Sequence, residues 1–274
     1  MLPLPMPDLL PHAQLWRASS LSVGASRCVA SGFAALDAEL PGGGWPTLGL
    51  SEILSASPGL LEWRLLAPAL RGLLTGPVEA APKRRAPPRR AAQQRPLLLI
   101  NPPHTPHLPG LQASGLAAQQ LVWIAATTPQ QQLWATEQAI KSNAAAAVLA
   151  WLPQARPEQI RRLQSHAQAT DAPVFIFRPL SAAGQSSAAP LRVLASPGPD
   201  WGLDVQILKR RGPMHEHKLH LLAMPAELDQ VLSPRMLAAL GSIKPPALSA
   251  SPPPPLAVEP RHALARPAVA HQHG

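Results

Sequence analysis

The chain has 274 residues, a formal net charge of +9, 36 prolines, one cysteine and no tyrosine. That length predicts one or two domains with enough chain to bury a core. A hydrophobic content of 46% excludes global disorder, while the proline count points to linker-like stretches. The lone Cys28 excludes an internal disulfide and a cysteine zinc cluster, and it suits a reducing cytoplasm. The opening MLPLPMPDLL has no basic residue and carries Pro3, Pro5 and Pro7, so it does not read as a signal peptide. The longest charge-free apolar run, 144–152, is about half of a membrane span, so no membrane role is expected. A basic excess without a membrane segment directs attention to polyanions, nucleic acid first.

In chain order, an N-terminal arm (1–29) precedes a glycine-punctuated stretch. It reads Ser31-Gly32-Phe33-Ala34-Ala35-Leu36-Asp37, then Leu40-Pro41-Gly42-Gly43-Gly44-Trp45-Pro46, then Gly49 and Glu52-Ile53. Residues 60–74 predict a helix with Pro68 as a kink position. Residues 75–96 hold Lys83, Arg84, Arg85, Arg89, Arg90 and Arg95 among five prolines. Like charges repel and proline denies helix, so this stretch predicts a solvated basic insertion.

Four short continuous apolar runs follow: 97–100, 121–125, 147–152 and 174–177. Such runs suit parallel strands buried on both faces. Between the second and third, Thr128-Pro129-Gln130-Gln131 predicts an N-cap, a proline at the first helical position and a capping box. The helix it opens turns Leu133, Thr136, Ala139 and Ile140 inward and ends at Ser142-Asn143. Between the third and fourth runs, Pro157 opens a second helix with Ile160, Leu163 and Ala167 inward. Alternating strands and helices predict an α/β fold around a mostly parallel sheet. Residues 181–190, small and uncharged, read as a loop unlike folded protein. Then the period changes: Leu203, Val205 and Ile207 alternate with Asp204 and Gln206, Lys209-Arg210-Arg211-Gly212-Pro213 turns the chain, and 218–223 returns. That pattern predicts an antiparallel C-terminal hairpin. A short helical extension (225–243) and a disordered proline-rich tail (244–274) complete the chain.

The stretch from Ser31 to Ile53 resembles the entry to the core domain of RecA-type recombinases, which leads into a phosphate-binding loop. Further pieces resemble that core in order and spacing: 97–101, Val122-Trp123-Ile124-Ala125 through Glu137-Gln138-Ala139-Ile140, 142–151, and Lys209-Arg210-Arg211-Gly212-Pro213. The resemblance covers roughly 20–224 and implies a RecA-like, P-loop-type core, 30–224. The loop itself is degenerate. A working loop needs a lysine for the phosphates and a hydroxyl for Mg²⁺. After Ile53 the chain reads Leu54-Ser55-Ala56-Ser57-Pro58-Gly59-Leu60-Leu61-Glu62, and there is no lysine before Lys83. Ser55, Gly59, Leu60 and Leu61 therefore mark a loop without its cation. Pro103 stands where the family carries its catalytic glutamate, and Trp151 where it carries the aspartate that organises Mg²⁺. The indole of Trp151 and its neighbouring leucines are expected to take the volume ATP would fill. Phosphoryl transfer depends on positioned charge, so no catalysis and no cofactor are expected.

A RecA-like core with a dead phosphate loop, an arm and a tail resembles the ImuA family of RecA-related, SulA-like accessory factors in bacterial mutagenic translesion synthesis. Leu15-Trp16-Arg17, Gly59 with Glu62, Arg64-Leu65-Leu66, Pro68-Ala69-Leu70 and 147–153 carry that resemblance. It implies an SOS-induced, non-enzymatic binding module. Its partners would be ImuB, a Y-family-polymerase-like adaptor, and indirectly an error-prone replicative-type polymerase, with DNA a further candidate. The rivals are a residual DNA-stimulated ATPase of RecA type and a SulA-like cell-division inhibitor acting on FtsZ. RecA's DNA-binding loops correspond to 153–156 and 181–190, which are short and, in the second, uncharged. RecA-style strand binding is therefore not expected.

Candidate contacts to DNA or partner are Lys209, Arg210 and Arg211 in the turn and Lys83, Arg84, Arg85, Arg89 and Arg90 in the insertion. A solvated turn and a plain linker are the bland alternatives. Together, the run from Lys83 to Arg95 and the turn account for the whole net charge, leaving the rest near neutral. His215-x-His217, if on a strand, would share one face, with His220 on the other. With little carboxylate nearby a solvated strand end is expected rather than a metal site. His104 and His107 read the same way, Cys28 as an unremarkable thiol, and Trp63, Trp123, Trp134 and Trp151 as core.

Overall fold

The computed structural model of the protein describes residues 28–75 and 95–224. In chain order these form β1 (Cys28–Val29), α1 (Ala34–Glu39), β2 (Trp45–Pro46), β3 (Leu50–Ser55), α2 (Glu62–Thr75), β4 (Leu97–Ile100), α3 (Leu108–Ala113), β5 (Leu121–Ile124), α4 (Pro129–Ser142), β6 (Ala147–Trp151), α5 (Pro157–Ala167), β7 (Val174–Pro179), β8 (Leu191–Pro197), β9 (Leu203–Lys209) and β10 (Lys218–Leu221). β1 and β2 pair antiparallel as a separate two-stranded sheet. The other eight strands form one sheet in the order β10-β9-β8-β3-β7-β6-β4-β5. Every pairing from β8 to β5 is parallel, and β9 and β10 close the opposite end antiparallel. The architecture is thus α/β, with a mostly parallel sheet, flanking helices and a C-terminal antiparallel hairpin.

The apolar runs form strands because helices cover both faces of the sheet. On one face Ile53, Leu99, Leu149, Phe175 and Phe177 pack with Leu65, Leu66 and Leu70 of α2 and Leu111 of α3. On the other, Leu50, Val148, Ala150, Val174 and Ile176 meet Leu133 and Ile140 of α4 and Ile160, Leu163 and Ala167 of α5. α4 begins and ends where its sequence says. Gln131 N donates to Thr128 Oγ1 at 3.2 Å, Thr128 N donates back to Gln131 Oε1, and Asn143 caps the far end in the left-handed region at φ 47°. In α5, Ile160, Leu163 and Ala167 are fully buried.

Several expectations are corrected. The stretch 181–190 is built into the fold, with Ala182 and Ala189 buried, because guanidinium and ammonium groups from neighbouring strands bond its backbone. β8, which the pattern reading passed over, joins the parallel strands to the hairpin. Trp123 and Trp134 do not fill the core: they are 48% and 63% exposed. Trp123 lies on the edge strand β5, paired on one side only. Trp134 follows Leu133 on α4, and a helical period that buries 133, 136 and 140 turns 134 outward. His215 and His217 precede β10 rather than lying on a strand, so the one-face argument does not apply. Their rings meet edge-on with centroids 6.1 Å apart. Lys83, Arg84, Arg85, Arg89 and Arg90, most of the arm, the helical extension and the tail lie outside the described residues.

Candidate functional site

β3 ends inside the sheet, between β7 and β8, and the chain turns through 56–61 into α2. The carboxyl ends of parallel strands form the crest on which open α/β sheets hold ligands. The turn contains Gly59 at φ +91°, a left-handed conformation that disfavours any side chain. Backbone N–H groups at such a turn, beside a helix N-terminus, make a cradle for an anion. Here the anion belongs to the chain. Glu62, the first residue of α2, is 3% exposed and curls back into the turn. Its Oε1 accepts from Gly59 N at 2.6 Å and from Trp151 Nε1 at 3.2 Å, and its Oε2 accepts from Leu61 N at 3.0 Å.

Two further elements pack around this turn. The chain leaving β4 bends at Asn101, whose φ is 52°, and lays Pro103 and His104 on Gly59. A methyl group on Gly59 would stand 2.6 Å from His104 Cδ2 and 2.8 Å from Pro103 Cγ. At the end of β6, Trp151 is buried, stacks on Phe177 with centroids 4.5 Å apart, and lies 6.4 Å from the Trp63 ring. Of the residues singled out from sequence, Gly59, Leu61, Pro103 and Trp151 converge on this point and Ser55 is buried at the end of β3. Leu60 instead faces outward, 62% exposed.

Sequence reading missed what Glu62 does, although a carboxylate in a helix's first turn is favoured by the helix dipole. It also missed a second buried carboxylate. Glu52, in the middle of β3, is fully buried on the opposite face of the sheet. Arg178 of β7 donates to its Oε1 at 2.8 Å, and Arg192 of β8 donates to its Oε2 at 2.9 Å. The same guanidiniums reach Ala155 O, Gln185 Oε1, Ala182 O and Ala183 O, so the triad ties the connections after β6 and β7 to the sheet. The signal available was one charged residue in each of three otherwise uncharged strands.

The basic turn is largely spent within the fold. Lys209 Nζ donates to Ser187 O at 2.7 Å, and Arg210 pairs with Glu39 Oε2 at 2.8 Å, bonding also Glu39 O and Pro213 O. Arg211 is exposed and shows no partner among the described residues. Arg95 pairs with Asp171 at 2.9 Å. His107 Nδ1 accepts from Gly110 N as the cap of α3, and His220 bonds Asp204. Cys28 Sγ donates to Gly42 O, and burial, then the nearby Asp37, pushes its thiol above the ordinary range, away from thiolate chemistry. Among the described residues no group of three or more His, Cys, Asp or Glu is placed to hold a metal ion. A cleft of about 500 Å³ opens between the first turns of α4 and α5, lined by Gln130, Gln132, Gln154, Arg156, Gln159 and Arg162. Arg162 is already paired with Glu137 at 3.1 Å.

The chain matches no protein-family description and no curated protein. No helix of the described residues is long and apolar enough to cross a membrane.

Proposed function

We propose that the protein is a non-catalytic, RecA-like accessory factor of the ImuA type, acting in mutagenic translesion DNA synthesis by binding a Y-family-polymerase-like partner. One observation carries the non-catalytic part of this reading. The amide cradle after β3 is filled by Glu62, packed at Gly59 by Pro103 and His104, and Glu62 is also bonded by Trp151. A nucleotide phosphate entering there would have to displace a buried carboxylate covalently tied to the cradle. No lysine would compensate its charge, since none precedes Lys83 in the chain. The RecA-like part is supported by the strand–loop–helix unit of β3 and α2 at mid-sheet, the layout of phosphate-binding loops, and by the antiparallel hairpin beyond β8.

The partner assignment rests on the sequence resemblance. Lys209 and Arg210 of the turn hold the hairpin to 187 and to α1 rather than facing a ligand. The test has two arms. Purified full-length chain titrated with Mg²⁺-ATP, with and without single-stranded DNA, should show neither binding nor hydrolysis; micromolar binding would sink the non-catalytic reading. Deleting the gene should lower damage-induced mutagenesis, and the chain should pull down its genome's Y-family-like protein. Unchanged mutagenesis, with filamentation on overexpression, would favour a cell-division inhibitor instead.

A further inference from the structure

β4 and β6 are neighbours in the sheet, yet their outgoing connections part. The chain leaving β4 runs through α3 on one face, and the chain leaving β6 runs through α5 on the other. Open α/β sheets hold ligands beside the carboxyl ends of strands whose connections diverge in this way. The cleft of about 500 Å³ between α4 and α5 lies at this end of the sheet, with Leu152, the residue after β6, in its lining. That size falls within the range of small-molecule sites, about 300–1,000 Å³.

Arg156 and Arg162 bring positive charge to the cleft, and Gln130, Gln132, Gln154 and Gln159 bring amides. Among the described residues that line it there is no carboxylate and no aromatic ring. Several of these side chains are held in place. Gln159 Oε1 accepts from Arg156 N at 2.9 Å, and the other end of that amide is a double donor. Gln132 Nε2 donates to Ala126 O at 3.3 Å, and its other end is an acceptor. Arg162 is fixed by Glu137 at 3.1 Å. The backbone at Ala155, also in the lining, is anchored from the buried side. Its carbonyl accepts from Arg178 Nη2 at 2.6 Å, and Arg178 is in turn tied to Glu52.

Two guanidiniums with no acid between them attract an anion, and their planar forks match the oxygens of a phosphate. Amides that both donate and accept suit hydroxyl groups, which do the same. A nucleobase would find no ring to stack on. We infer that the cleft between α4 and α5 binds a small phosphorylated sugar, its phosphate against Arg156 and Arg162 and its hydroxyls against the glutamine amides. The positive ends of the α4 and α5 dipoles add to the attraction for the phosphate. A DNA strand also carries phosphates, but strand binding uses a continuous basic track interleaved with aromatic rings. This cleft has two guanidiniums in one place and no ring. Such a site neither needs nor excludes a polymerase-like partner, and it is separate from the turn after β3.

Calorimetric titration of the full-length protein, without Mg²⁺, with ribose 5-phosphate and with glucose 6-phosphate tests the assignment. At least one should bind saturably at one site per chain, with Kd below about 1 mM. Ribose, glucose and inorganic phosphate should each bind at least about tenfold more weakly, since each offers only half of the contacts. Arg156 and Gln154 are exposed, so their replacement spares the core. Arg156→Ala should weaken binding about tenfold or more, and Gln154→Ala about threefold. Arg161→Ala removes the same charge from α5 outside the cleft and should leave binding unchanged. No saturable binding of either sugar phosphate would overturn the proposal. Inorganic phosphate binding as tightly would reduce the cleft to a bare anion site, and an equal loss from Arg161→Ala would reduce it to diffuse charge. Binding of oligothymidylate in place of both sugar phosphates, lost in Arg156→Ala, would give the cleft to DNA. Each of these three results also overturns the sugar phosphate.

Discussion

Glu52 and Glu62 lie on opposite faces of the same sheet, ten residues apart, and both are buried. Glu52 is held by two guanidiniums, Glu62 by two backbone N–H groups and an indole N–H, with no cation. A carboxylate between two arginines is a structural tie: the cations need it as much as it needs them. A carboxylate in a bed of amide dipoles occupies a place that other anions of its size also suit. The first site is therefore irreplaceable in place, and the second is a ligand site whose ligand is part of the chain.

The comparison predicts unequal costs. Glu52→Gln strands two buried guanidiniums and should cost about 3–5 kcal/mol of folding free energy, read by urea unfolding. Replacing the triad together, with Glu52→Leu, Arg178→Met and Arg192→Leu, should cost less than the single change, since no unpaired charge remains. If it costs more, the triad is not the isolated tie described above. Glu62→Ala leaves three donors empty and should cost about 1–3 kcal/mol. Unlike any change at Glu52, it should be partly repaired by millimolar phosphate or sulfate, raising the variant's melting temperature and leaving the wild type unmoved. No repair would mean the cradle collapses without its carboxylate. Trp151→Phe removes one donor and keeps most of the ring packing on Phe177, so about 0.5–1.5 kcal/mol is expected.

A surface carboxylate gives the smallest effect and a control for both. Glu137 is held below the usual carboxylate range chiefly by its hydrogen bond from Lys141; burial opposes this as the next largest effect, and the charges of Arg162, Lys141 and His166 add to the lowering. A group with a depressed folded-state value binds its proton more weakly when folded than when unfolded. Its contribution is present above its ordinary value of 4.5 and fades as pH falls below that. Glu137→Gln should lower stability slightly at neutral pH, change it little once pH has fallen below the acidic window, and so flatten the profile between. A loss as large at acid pH as at neutral pH would contradict the assignment.

How much of this was readable beforehand divides along physical lines. Local grammar was legible: Thr128 to Gln131 declares a capped helix, Asn143 its end, and 97–100 a buried strand, because each depends on neighbours in sequence. That the turn after β3 carries no lysine was legible in the sequence. What fills its amide cradle was not, since the Glu62 to Trp151 bond joins residues 89 positions apart. The Glu52 triad spans 126 and 140 positions for the same reason. The tryptophans misled because hydrophobicity ranks Trp123 and Trp134 as core. Only the sheet order shows that β5 is an edge, and only the helix phase shows that 134 faces out.

A domain that takes up a diffusing anion has two states, filled and empty, and its folding stability rises with the anion's concentration. Tethering the anion as Glu62 removes that variable. Its local concentration is set by covalent geometry and is the same whether the cell is rich or poor in nucleotide. On the non-catalytic reading proposed above, the core would keep no record of energy status, and its activity would be timed by how much chain is made and what the chain meets.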